Sequence, residues 1–245
     1  MEDDFSRVFR YAVDFYLKRL GLIVLFSLPF VFAFMITALV AAPTYVALGG
    51  VFLRTGSIPE LSLADLLITA LGYAVALFLI ADTIVNVNII VRSKRTLTEI
   101  SGDIVGAMGT HAMRIFYIYT LVLLVMFIVQ LVLYENSFQS WLYPLSLLAV
   151  SYLIFFVPPA VVIDHSDTPT AIRRSAQMAL RKPRFFILWT LLSLFGLSLA
   201  KVVADFLFSG IFAGYFVLLV NSLFILPFLI VLQTQMYMEK YPLAR

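Results

Sequence analysis

The stretch LGLIVLFSLPFVFAFMITALVAAPTYVALGGVFL, Leu20 to Leu53, contains no charged residue. A helix needs about 20 mostly apolar residues to cross the hydrocarbon of a bilayer, so this run is longer than one span requires. It follows DFSRVFRYAVDFYLKRL, Asp4 to Leu20, where apolar and cationic residues alternate at helical spacing. A long apolar run entered from such a segment predicts a helix in lipid. The run is too long for the apolar core of a cleavable leader, and it follows an acidic start, Glu2-Asp3-Asp4, so it is expected to persist as a signal anchor.

The rest of the chain repeats the message. Of 245 residues, 62% are hydrophobic and only 13% charged. Soluble domains carry roughly twice that charge. A soluble core that absorbed so much apolar side chain would leave large sticky patches, whereas lipid solvates apolar surface directly. One integral membrane domain, 1–245, is therefore expected. Cysteine is absent, which excludes disulfides and thiol chemistry.

Five further candidate spans follow: about Leu63–Val91, Ile115–Tyr134, Trp141–Ile163, a run from Arg184 to about Phe208, and one within Ile211–Met238. Each must be helical, because an open strand would leave backbone groups unpaired in hydrocarbon. Lys and Arg sort the loops. One side holds Arg7, Arg10, Lys18 and Arg19, then Arg92, Lys94, Arg95 and Arg114, then Arg173, Arg174, Arg181, Lys182 and Arg184, and finally Lys240 and Arg245. The other side holds Arg54, with Lys201 near the end of the fifth span. The positive-inside bias predicts both termini in the cytoplasm, consistent with an even number of spans in the cell membrane.

Spans one, three and five are each preceded by a segment with an apolar stripe and cations. The first carries Phe5, Val8, Phe9, Ala12, Val13, Tyr16 and Leu20, with Arg7, Arg10, Asp14 and Lys18 opposite. The second carries Leu97, Ile100, Ile104, Ala107, Met108 and His111, behind the capping box Thr96-Leu97-Thr98-Glu99. The third carries Ala171, Ile172, Ala176 and Ala179, with Pro169 in its first turn. The predicted fold is all-α: six transmembrane helices, three amphipathic cytoplasmic interfacial helices, and a threefold internal repeat with units of about 4–95, 96–167 and 168–240.

Polar residues within spans carry functional weight, because burying them in lipid is costly. Asp82 lies about 15 Å from Arg92 along a helix, near the midplane. Asn86 is one turn on and shares its face. The pair reads either as a solute or proton site or as a hydrogen-bonded packing contact. Asn221 precedes Pro227, which permits a kink and could bring Asn221 to Asp82. Lys201 and Asp205, four apart, are expected to form an ion pair.

Catalytic chemistry finds little support. His111 and His165 are the only histidines, no HExxH motif occurs, and no spaced aspartates suggest a metal-dependent transferase. Gly102, Gly106 and Gly109 lack the preceding strand of a phosphate loop. No catalytic residue, metal or cofactor is expected. The cations are interleaved with lipid-seeking residues, so membrane phosphates are nearer partners than nucleic acid.

One stretch carries a resemblance: Phe156-Val157-Pro158-Pro159-Ala160-Val161-Val162-Ile163-Asp164, then Ala171-Ile172-Arg173-Arg174-Ser175, then Lys182. It resembles prokaryotic multi-span proteins akin to the membrane domain attached to some glycerophosphodiester phosphodiesterases. The match covers about the second half of the chain. The phosphodiesterase chemistry of that family resides in a separate soluble domain, so the resemblance implies architecture and not hydrolysis. It points to Arg174 and Ser175 as helix-packing or lipid-facing positions.

The expected function is therefore non-enzymatic: a polytopic protein engaging anionic lipid headgroups, a partner membrane protein, or both. Arg7, Arg10, Lys18, Arg173, Arg174, Arg181 and Lys182 are the expected headgroup contacts. The alternative is a transporter or permease subunit for a small or lipid-like solute, with Asp82, Asn86 and Asn221 in its path.

Overall fold

The computed structural model describes residues 4–39, 63–95, 102–134 and 136–239. Among these residues every regular element is helical. In chain order they are α1 (Asp4–Lys18), α2 (Leu20–Leu39), α3 (Leu63–Arg95), α4 (Gly102–Val132), α5 (Gln139–Ile154), α6 (Val157–Ile163), α7 (Thr168–Arg181), α8 (Pro183–Leu207), α9 (Ile211–Val220), a π-turn (Asn221–Ile225) and α10 (Leu226–Met238). Six segments are long and apolar enough to cross a membrane: Leu20–Thr37, Leu67–Ser93, Gly109–Val132, Gln139–Ile163, Pro183–Leu207 and Ile211–Met238. They coincide with the six runs read from the sequence.

Helix α3 is the hub, packing against α2, α4, α6 and α10. Its second half is buried almost throughout, including Ala81, Val85, Val87, Ile89, Ile90 and Val91. Further core contributions come from Phe156–Val162, Leu229–Met238, Ala112, Ile115 and Ile118 of α4, and Ile23 and Phe30 of α2. The opposite ends of the helices expose Leu67, Leu71, Leu121, Leu124, Leu145, Leu148, Phe195 and Phe206. The bundle is tight where α3 ends and open where it begins. Apolar surface on that scale leaves water by entering lipid.

The two breaks in the spans follow from proline. Pro158 and Pro159 lack N–H groups, so they cannot donate to the carbonyls four residues back, Ile154 and Phe155. The helix accordingly divides at Phe155–Phe156, ahead of the prolines, and resumes as α6. Ser175 enters this gap: its hydroxyl accepts from Phe156 N–H (2.9 Å) and donates to Leu153 O (2.7 Å). The side-chain amide of Gln233 donates to the freed Phe155 carbonyl. Pro227 acts likewise as the second residue of α10. The kink expected there takes the form of the π-turn, in which Leu226 N–H donates to Asn221 O, five residues back.

The cationic segments divide. Helix α1 buries Val8, Ala12, Phe15 and Tyr16 and exposes Arg7, Arg10 and Lys18. It packs on α10 through Phe9 and Tyr16, both edge-on to Phe228. Burial pushes the Tyr16 phenol up to about 12, so it remains a donor, to Phe224 O at 3.1 Å. Helix α7 buries Ala171, Ser175 and Ala179, one row at a spacing of four. Ser175, left out of the expected stripe, belongs to this row, and Ala176 lies at its margin. Asp167 occupies the N-cap position of α7, with Thr168 the first helical residue. The second cationic segment differs from the expected separate helix. From Gly102 onward it is continuous with its span as α4, and its capping box at Thr96–Glu99 lies outside the described residues.

Candidate functional site

Arg181 ends α7, Lys182 joins the helices, and Pro183 starts α8. Proline suits that first position, because its missing N–H had no partner there. The short junction crowds Arg181, Lys182 and Arg184 into a few residues, and the next turn adds Phe185 and Leu188. These side chains, with Pro183 and Phe5 of α1, line a cavity of about 280 Å³. Three cationic side chains and the apolar side chains of Phe5, Phe185 and Leu188 thus border one space. The positive end of α8 lies at the same point and adds to the potential.

The three cations are not equivalent. Lys182 pairs with Glu239, at the end of α10, and its Nζ sits 5.1 Å from the centre of the Phe185 ring. Arg181 and Arg184 are exposed and have no ion-pair partner among the described residues. Arg181 and Lys182 were expected as headgroup contacts from their charge alone. Arg184 was assigned to the loop but not to the site. Phe5 could not be assigned to it, because only tertiary packing brings α1 there.

The remaining expected headgroup residues scatter. Arg173 is exposed on α7, Arg7 and Arg10 are exposed on α1, and Lys18 forms an exposed pair with Asp14 (2.8 Å). Arg174 is committed elsewhere. Its guanidinium donates to Asp164 Oδ2 (2.8 Å) and to Ser166 Oγ (2.8 Å). The Asp164 side chain is only 5% exposed, and Tyr237 donates to the same oxygen at 2.7 Å. Asp164 thereby ties α7 and α10 to the turn that follows α6. On the other side of that turn, Arg114 donates to Ser166 O (3.1 Å) and Arg92 to Val162 O (3.1 Å).

Asp82 and Asn86 do meet: Asn86 Nδ2 donates to Asp82 Oδ2 at 3.0 Å. No hydrogen bond joins Asn221 to Asp82 among the described residues. Helix α2 packs against both α3 and the π-turn that holds Asn221. Asn88 turns the other way, with Thr234 Oγ1 at 2.8 Å from its Oδ1. Lys201 and Asp205 form the expected pair, 2.6 Å apart and exposed. Among the described residues no three His, Cys, Asp or Glu side chains gather as metal ligands.

No family model matches the chain, and it has no match among curated proteins or solved structures.

Proposed function

We propose that this protein is a non-enzymatic, polytopic membrane protein that engages anionic lipid headgroups at the α7–α8 junction. The observation that carries the reading is the cavity of about 280 Å³ lined by Arg181, Lys182, Arg184, Phe5, Phe185 and Leu188. Guanidinium groups suit phosphate because they present forked donors, and Phe5, Phe185 and Leu188 suit the first carbons of a lipid chain. A partner membrane protein carrying an acidic segment is the other occupant of this chemistry.

The reading includes an orientation. The cations at the ends of α1, α3 and α7 belong on the cytoplasmic side, where anionic lipids attract them, at about 1 kcal/mol per charge near the surface. Both termini then lie in the cytoplasm of a cell-membrane protein. Helices α1 and α7, each basic on one face and each leading into a span, support the interfacial role and the repeat units of about 4–95, 96–167 and 168–240. The resemblance to phosphodiesterase-associated membrane domains supports the same architecture without adding hydrolysis.

Solute passage past Asp82 and Asn86 competes with this reading. One observation favours it: Asn86 Oδ1 and Asn221 Oδ1 are buried with no hydrogen-bond partner among the described residues. Such groups are uncommon unless a ligand or water serves them.

Thermal unfolding in nanodiscs separates the two. The protein is expected to melt at a higher temperature in phosphatidylglycerol than in phosphatidylcholine, and R181E/R184E is expected to erase that difference. An unchanged lipid preference in the double variant rejects the headgroup site.

A further inference from the structure

The two histidines, 54 residues apart in sequence, meet in the fold: His165 Nδ1 lies 3.2 Å from His111 Nε2, with the rings 5.2 Å apart at their centres. His111 comes from α4 and is buried. His165 is exposed and sits in the turn between α6 and α7, with a left-handed backbone (φ 50) that a non-glycine residue adopts at a cost of about 1 kcal/mol. A strained turn is thus held against α4 by the histidine contact and by Arg114, whose guanidinium donates to Ser166 O (3.1 Å) and His165 O (3.5 Å).

The proton's place in this contact follows from burial. His111 Nδ1 is buried with no hydrogen-bond partner among the described residues. A bare lone pair there is less costly than an unsatisfied N–H. His111 therefore carries its proton on Nε2 and donates it to His165 Nδ1, leaving the His165 Nε2–H toward solvent. An incoming proton has two destinations. On His165 Nδ1 it sets two N–H groups against each other and ends the bond. On His111 Nδ1 it makes a buried cation.

Charges of both signs stand around His165. Arg92 of α3 and Arg114 of α4 both oppose a proton on His165. Among the described residues Asp164 is the carboxylate that acts on His165, and it is held by Arg174 of α7 and Tyr237 of α10. Burial, then Arg92 and Arg114, lower the proton affinity of His165 against the pull of Asp164.

We propose that the His111–His165 contact is an acid-released latch: when intact it holds the 164–167 turn and the start of α7 against α4, and protonation frees them. Helix α7 leads into the α7–α8 junction, but the latch stands whether or not that junction binds lipid.

The chain has no cysteine, so paired spin labels report cleanly on one distance. Labels at M113C on α4 and Q177C on α7 are both exposed. In the otherwise native protein in nanodiscs, the mean label separation is expected to shift to longer values between about pH 8 and about pH 5. The shift is expected to vanish in H165N, whose side-chain oxygen replaces the accepting Nδ1 and does not titrate. Should H165N fail to fold, H111Q, which keeps a donor at the Nε2 position, takes its place. A separation that does not change with pH in the native background overturns the latch. So does an equal change in the non-titrating variant.

Discussion

Ser175 and Phe156 meet at the break in the fourth span, the hydroxyl accepting the Phe156 amide at 2.9 Å while donating to Leu153 O at 2.7 Å. One small side chain on α7 thus satisfies both a donor and an acceptor that the interrupted helix left open. The Ser175 side chain is fully buried, so no solvent takes its place. Ser175→Ala is expected to lower unfolding stability by about 2 kcal/mol, because two buried backbone groups lose their partner. Ser175→Gly, equally without the hydroxyl, is expected to be no better. Denaturant titration in mild detergent measures both, and wild-type stability for Ser175→Ala contradicts the assignment.

Tyr237→Phe tests the Asp164 clamp. The phenol donates to a carboxylate that is almost fully enclosed, and the substitution removes only the hydroxyl. A loss of about 2 kcal/mol is expected, in the range for hydrogen bonds to charged groups. Arg174→Gln is expected to cost less, since its side chain is 45% exposed and its charge is partly screened by solvent. Equal losses for the two, read as shifts in denaturation midpoint, count against the proposed division.

Gly210 caps α9 with φ 61 and ψ −132, a conformation that L-residues rarely adopt. A Cβ added there meets nothing within 4 Å. The expected cost of Gly210→Ala is therefore backbone strain alone, about 1–3 kcal/mol, with lipid preference unchanged. A neutral substitution in the same denaturation assay contradicts that reading of the turn.

Stability should depend on acid in a direction set by His165. Its proton affinity is lowered in the folded protein, so the unfolded chain binds more protons as pH falls below the ordinary imidazole value of about 6.5. The contribution of the neutral ring is present above that pH and is lost as pH drops toward the folded-state value. Melting temperature is expected to fall over this window in the wild type and less so in H165N. A melting temperature that rises over the window contradicts the sign.

Asp82→Asn separates packing from passage. The partner Asn86 keeps a hydrogen-bonding neighbour in this variant, and headgroup binding at the far end of the bundle is expected to remain. Retained lipid preference with only a modest stability change supports the packing contact. Altered solute flux in reconstituted vesicles, with the fold intact, supports the competing transport reading.

The spans were legible in the sequence because lipid demands a long uninterrupted apolar run, and Leu20–Thr37 and Ile211–Met238 stand out by that criterion alone. The Lys201–Asp205 and Asp82–Asn86 pairs were legible because both lie four apart on one helix. The position of Pro227 gave one break, but nothing local gave the groups that mend the other: Ser175 and Gln233 arrive there from other helices. The basic junction was legible as charge at Arg181 and Lys182. Its concavity was not, because Phe5 lies at the other end of the chain. The His111–His165 contact left no local signal either, since each residue looks like an isolated loop or stripe position until the turn after α6 folds against α4.

Headgroup selectivity at the α7–α8 junction is tested most directly by electron spin resonance of spin-labelled lipids around the reconstituted protein. A larger motionally restricted fraction is expected for labelled phosphatidylglycerol than for labelled phosphatidylcholine, and R181E/R184E should bring the two fractions together. Equal fractions around the unaltered protein would contradict the account.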